Sequence, residues 1–325
     1  MSTDASSIPA PAPSLPSQPT APYLVQREAR DVFRTLRGLR QHAHEWGDAS
    51  LATDERPTLL LVHGWMDVGA SFQFVVDALH RLEGDTRHVV AHDWRGFGGS
   101  EGGGVDSFTF VDYIGDLDAL VDAVSPDRPV DLVGHSMGGN VAMSYAGVRP
   151  KRVRRLVNLE GFGLPESRPE SAPKRLAQWL DELKTPVSLR PYLDAGQVAH
   201  RLRQSNPRLA ADKAAWLATR WAAERDDGRW HILGDAAHKR SNPIPYRKDE
   251  ALACWRAIAA PVLWVEGENT DVTKWWGDRY PRSEFESRIA QVPRLERLLL
   301  ADCGHMLHHD RPDEVAERLL RFLAD

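Results

Sequence analysis

Cysteine is nearly absent. Only Cys254 and Cys303 occur in 325 residues, too few for a disulfide-stapled scaffold, and two reduced thiols fit a cytoplasmic location. Long apolar runs are missing too. No 18 consecutive apolar residues occur, so no membrane span is expected. A positive excess is also lacking: 41 Lys plus Arg face 46 Asp plus Glu, a net charge of −5, which gives no reason to expect a nucleic-acid partner. No internal repeat stands out. The first 22 residues, MSTDASSIPAPAPSLPSQPTAP, lack the basic start and apolar centre of a secretory signal. Their Pro, Ser and Ala predict a disordered tail dispensable for catalysis.

What remains is a soluble globular composition, 42% hydrophobic and 27% charged. Short apolar runs each end in a Gly or polar cluster: TLLLVHG (58–64), HVVAHDWRG (88–96), VDLVGHS (130–136), VRRLVNLEG (153–161), PVLWVEGE (261–268) and LERLLLADCGH (295–305). Runs apolar at both alternating positions predict strands covered on two faces, hence a parallel sheet. Helical spacing recurs between them, in SFQFVVDALHRL (71–82), FVDYIGDLDALVDAV (110–124), MGGNVAMSYAGV (137–148) and PDEVAERLLRFLA (312–324). The alternation predicts a doubly wound, mostly parallel α/β fold, with FRTLRGLRQHAHEWG as an opening hairpin.

One region lacks strands. From Leu164 to Trp255 only helical pieces occur, including APKRLAQWLDELK, DAGQVAHRLRQ and DKAAWLATRWAAE. This predicts a helical cap over residues 164–255 on a core of residues 23–163 and 256–325. Its four tryptophans (Trp179, Trp216, Trp221 and Trp230) at helical spacing are expected mainly to pack, with lining of a ligand site as the alternative. It carries 16 Lys plus Arg against 12 Asp plus Glu, a bias too small to identify an acidic substrate.

The chemistry centres on Gly134, His135, Ser136, Met137 and Gly138, a G-x-S-x-G set between an expected strand and an expected helix. Small flanking residues permit the tight turn that lifts a serine above the sheet, and the following helix N-terminus favours developing negative charge. A serine hydroxyl needs a base within hydrogen-bond reach. His305, directly after Gly304 in the last loop, is the candidate. His308 and His309 follow, but their spacing matches no zinc pattern, and no metal is expected. A carboxylate must then hold the imidazole in its useful tautomer. Asp271, in GENTD after the fifth run, gives the order Ser136, Asp271, His305.

Together these residues resemble the α/β-hydrolase superfamily. LLLVHGW is similar to its His-Gly turn, which implies the Trp65 amide as one oxyanion donor and the Met137 amide as the other. DWRGFGGS is similar to its D-x-R-G-x-G-x-S turn, GHSMGG to its nucleophile elbow, and DCGHMLHHDRPDEV to its histidine loop; HGWMDVGASF is similar to the serine-hydrolase-like subgroup. One departure stands out. The family acid falls three residues after the strand-ending glycine, here Thr270, whereas Asp271 is one further on; Glu160, after an earlier strand, is the alternative, and Glu268 the third.

The resemblance implies a serine hydrolase cleaving a carboxylic ester through an acyl-enzyme, with a small-molecule substrate and no cofactor. Lactone or carbon–carbon cleavage on the same triad, or a slow hydrolase serving as a ligand receptor, are the alternatives. A serine at the elbow disfavours haloalkane dehalogenase and epoxide hydrolase chemistry. Trp275 and Trp276, after the acid loop, are expected either to wall the pocket or, equally, to be buried against the cap. Oligomeric state is not legible in the sequence.

Overall fold

The computed structural model describes residues 23–324; the expected disordered tail lies outside the described residues. Ten strands are β1 Arg30–Leu36, β2 Leu39–Trp46, β3 Leu59–Val62, β4 Val89–His92, β5 Val130–His135, β6 Val153–Leu159, β7 Ala222–Glu224, β8 Trp230–Ile232, β9 Val262–Gly267 and β10 Leu295–Leu300. Helices are α1 Gln73–Glu83, α2 Phe110–Val124, α3 Met137–Val148, α4 Ala172–Leu183, α5 Ala195–Ser205, α6 Ala211–Trp221, α7 Lys248–Arg256, α8 Thr273–Trp276, α9 Arg282–Ile289, α10 Leu307–Asp310 and α11 Pro312–Ala324. No described helix is long and apolar enough to cross a membrane.

Eight strands form one sheet in the order β1-β2-β4-β3-β5-β6-β9-β10. The six from β4 to β10 in that order are parallel, and the β1–β2 hairpin adds antiparallel at one edge. Period-two alternation fills both faces. Leu60, Val62, Leu132, Leu156 and Trp264 face α2, α3, α7 and α9. Leu59, Leu61, Val133, Val157 and Val265 face α1 and α11. Along the central strands β3, β4, β5 and β9 neither face meets water, which is why they read as apolar runs.

The segment after β6 differs from expectation in two ways. It contains a short hairpin, β7 paired with β8, where only helices were expected; three-residue strands are too brief to show a period. Its expected end at Trp255 also falls inside α7, whose Leu252 and Trp255 belong to the core. The rest docks over the ends of β3 and β4. Leu233 O accepts from Gly98 N at 2.8 Å and Gly96 O from Asp235 N at 2.7 Å, and His238 stacks between Phe97 and Phe108 at 3.8 and 3.7 Å. Half-buried Trp216 packs on Tyr23 and Phe74, while Trp179 Nε1 donates to Ser107 Oγ at 2.8 Å.

Helices α3 and α7 cross so closely that a Cβ on Gly147 would lie 2.0 Å from Cys254 O. Exposed helix propensity alone favours Gly147→Ala by about 1 kcal/mol. Overpacking against a backbone carbonyl costs about 1–3 kcal/mol and wins. The variant is expected to melt below the wild type, measured by thermal unfolding.

Candidate active site

Strand β5 ends at His135 and α3 begins at Met137, leaving Ser136 alone on the turn with φ 52° and ψ −114°. A non-glycine residue on that side of the map costs roughly 1–3 kcal/mol and persists only when its surroundings dictate it. Here they do. Ser136 N donates to Leu159 O at 2.8 Å, and Asn140 N to Ser136 O at 3.0 Å. The flanking glycines are sterically required, because a Cβ on Gly138 would lie 2.3 Å from Val62 O and one on Gly134 2.5 Å from Gly138 O.

His305 stands on the loop after β10, half-buried, with Nε2 3.0 Å from Ser136 Oγ. Its loop is tied down from two sides. Gly304 N donates to Asp310 Oδ2 at 2.9 Å, and His135 Nε2 lies 2.8 Å from His305 O. Burial pushes the His135 imidazole down to about 3, so it is neutral and Nε2 is its donor nitrogen.

Of the carboxylates the sequence offered, the alternative Glu160 rather than Asp271 is the one beside the histidine: Glu160 Oε2 lies 3.1 Å from His305 Nδ1. Strands β6 and β9 are parallel neighbours with Leu159 opposite Val265, so their loops leave the sheet side by side and compete for one position. Glu160 is the first residue past β6. Its N donates to Val265 O at 3.0 Å, its Oε1 accepts from Gly267 N at 2.5 Å, and its φ is 62°. Asn158 clamps this turn, accepting from Gly161 N at 2.8 Å. Asp271 is exposed, and its carbonyl accepts from Lys274 N at the start of α8. Glu268 is also exposed and accepts from Asp302 N. A carboxylate directly after the apolar end of β6, between Asn158 and Gly161, is the sequence signal for Glu160.

Charge in this pair is governed by burial. Desolvation lowers the His305 pKa below its ordinary 6.5 and raises that of Glu160 above its ordinary 4.5, the latter opposed by the Gly267 N–H. The free imidazole is therefore neutral near pH 7. With Nδ1–H directed at the carboxylate, Nε2 presents its lone pair to the serine hydroxyl.

Met137, the first residue of α3, directly follows Ser136, and Trp65 is exposed on the turn after β3. The Gly64 turn abuts the serine, since a Cβ at Gly64 would lie 3.2 Å from Ser136 Cβ. His63 of the His-Gly turn braces it: its Nε2 accepts from Trp94 N at 3.0 Å and its Nδ1 donates to Gly64 O at 2.7 Å. Trp221 of α6 reaches the same turn, donating from Nε1 to Met66 O at 2.9 Å. Trp275 meets the His305 ring edge-on at 4.6 Å. Trp276 contacts Trp275 and lines a cavity of about 880 Å³ with Phe110, Ile114, Leu164 and Tyr246. His308 and His309 are buried, His308 stacked on Phe72 and His309 edge-on to Phe74.

Comparison with known proteins agrees with this architecture. The family model described as the alpha/beta hydrolase fold matches residues 57–312. A cis-3-alkyl-4-alkyloxetan-2-one decarboxylase of Shewanella oneidensis is 25% identical over 82% of this chain and 82% of its own length. A 3-hydroxybutyrate-oligomer hydrolase of Cupriavidus necator is 27% identical over 86% of this chain and 92% of its own. Among solved structures, a thioesterase domain from the curacin biosynthetic pathway superposes with a TM-score of 0.75 at 26% identity, covering 90% of this chain and 99% of that domain. The chain belongs to the alpha/beta hydrolase fold family and is a hydrolase.

Proposed function

We propose that this hydrolase cleaves carboxylic esters through an acyl-enzyme on Ser136. The observation that carries the reading is the unbroken contact from Ser136 Oγ to His305 Nε2 at 3.0 Å and from His305 Nδ1 to Glu160 Oε2 at 3.1 Å. His305 takes the serine proton as Oγ attacks the carbonyl. The Trp65 and Met137 amides receive the oxyanion, an interaction worth roughly 10²–10³ in rate per donor. The imidazolium returns its proton to the leaving alkoxide, and water, activated by the same imidazole, then releases the acid and restores Ser136. Glu160 fixes the tautomer and stabilises the imidazolium.

The segment between β6 and α7 serves as a cap, and Trp275 and Trp276 wall the acyl or alcohol side of the pocket. No metal or organic cofactor takes part in these steps. A cytoplasmic location remains part of the proposal, supported by Cys254 and Cys303 both being free thiols.

The relatives' names favour a particular panel. An oxetan-2-one is a cyclic ester of a 3-hydroxy acid, and a 3-hydroxybutyrate oligomer is a linear one. Both are to be assayed beside simple alkyl esters in a pH-stat, with fluorophosphonate labelling as the test of the nucleophile. Labelling at Ser136 with turnover of at least one ester class is expected; absence of both leaves a ligand receptor on this fold. The pH profile follows from burial. Only neutral His305 acts as base, and its pKa is depressed, so the acid limb of kcat/KM is expected below pH 6.5; a midpoint at or above 6.5 contradicts the buried-base geometry.

A further inference from the structure

A second polar cluster lies on the edge hairpin. In the β1–β2 register Asp31 stands opposite His44, and His42, two residues earlier, shares the face of His44 by strand periodicity. The rings of His42 and His44 meet at 4.6 Å. Asp31 Oδ1 lies 3.1 Å from His42 Nε2 and 3.0 Å from His44 Nδ1, and one ligand atom from each residue falls within 4.8 Å of the other two.

The other side of His42 is fixed. Its Nδ1 lies 2.7 Å from Asp93 Oδ2, and Asp93 also accepts from Gly69 N at 2.6 Å and Gly99 N at 2.9 Å. Nδ1 thus donates to Asp93, and Nε2 stands within hydrogen-bond distance of Asp31 Oδ1, sharing a proton with it in the metal-free chain. A metal ion would take the place of that proton and bridge Nε2 to the carboxylate. An imidazole bonded through its remote nitrogen to a carboxylate is also the support that metal-ligating histidines ordinarily have.

From this geometry we infer that Asp31, His42 and His44 bind a divalent transition metal of the zinc class, with Asp93 orienting His42. At metal–ligand distances near 2.1 Å, neighbouring ligand atoms of a tetrahedral ion stand about 3.4 Å apart, so contacts of 3.1 and 3.0 Å need to open by only a few tenths of an ångström. Two imidazoles and one carboxylate suit zinc better than calcium or magnesium, which prefer all-oxygen shells. Asp31 is exposed, which provides an entry path and leaves the fourth position to water. The hydrolytic steps at Ser136 do not use this site.

The test uses the untagged chain, stripped with a chelator and titrated with Zn²⁺ by calorimetry and with Co²⁺ by visible absorption. One ion per chain is expected, with intense tetrahedral Co²⁺ bands. Asp31→Asn and His44→Gln should each lower the affinity by at least about 10-fold, the scale on which metal sites respond to altered ligand shells. Metal-free melting temperatures establish that both variants fold. No heat at sub-millimolar Zn²⁺ overturns the inference. So does binding that survives both substitutions, which would place the ion elsewhere, as at the buried Asp67, His308 and His309 group.

Discussion

Ser136→Ala is expected to lower kcat for any ester substrate by about 10⁶-fold, the scale seen when a triad serine is removed. The remaining rate, roughly 10³–10⁴ over water, would come from oxyanion donors and binding. The size of the loss follows from how little else at the site can substitute. His305 is half-buried, with Nε2 aimed at Ser136 Oγ; without that oxygen it can only activate water less well placed than Oγ. The fold should survive. Alanine keeps the positive φ that Ser136 already tolerates, and the backbone bonds of Ser136 to Leu159 and Asn140 do not involve the side chain. Full cooperative unfolding with lost turnover and lost fluorophosphonate labelling is the expected combination. Retention of more than about 1% of kcat would remove Ser136 from the nucleophile role.

Legibility in the sequence followed the strength of each local signal. Helices α2, α3 and α11 lie where the apolar spacing puts them, because each buries a broad face against the sheet. Strands β3, β4, β5 and β9 were readable because two-sided burial removes polar alternation, and β6 and β10 because each closes on an apolar stretch before its loop. The β7–β8 hairpin was not, since AAE and WHI are short and only partly buried. At the site, Ser136 and His305 were legible from turn chemistry that needs specific residue types. The acid was a different problem. Sequence order places both Glu160 and Asp271 after parallel strands at the same end of the sheet, and only the contact of Glu160 Oε2 with His305 Nδ1 shows which of them reaches the histidine. The partners of His63 and Trp221 were not legible, since these contacts join chain segments far apart in sequence.

Glu160→Gln separates the two carboxylates, with an expected loss of about 10⁴-fold in kcat, the size seen when a triad carboxylate becomes an amide. Both oxygens of Glu160 accept: Oε1 from Gly267 N and Oε2 from His305 Nδ1. An amide has one acceptor. If its oxygen stays with Gly267, its NH₂ faces His305 and draws the imidazole proton from Nδ1 to Nε2, where it blocks uptake of the serine proton. If it turns the other way, two N–H groups meet at Gly267 in a buried site, which costs about 1–3 kcal/mol. The first arrangement is favoured, so the protein should remain folded while catalysis is lost. Stability near neutral pH should hold or rise, because the substitution removes a buried carboxylate whose pKa desolvation has already raised. Asp271→Asn, at an exposed position beyond the β9 loop, should change kcat by no more than a few fold. A 10⁴-scale loss at Asp271 with Glu160→Gln near normal would reassign the acid and require the β9 loop to reach His305 during turnover.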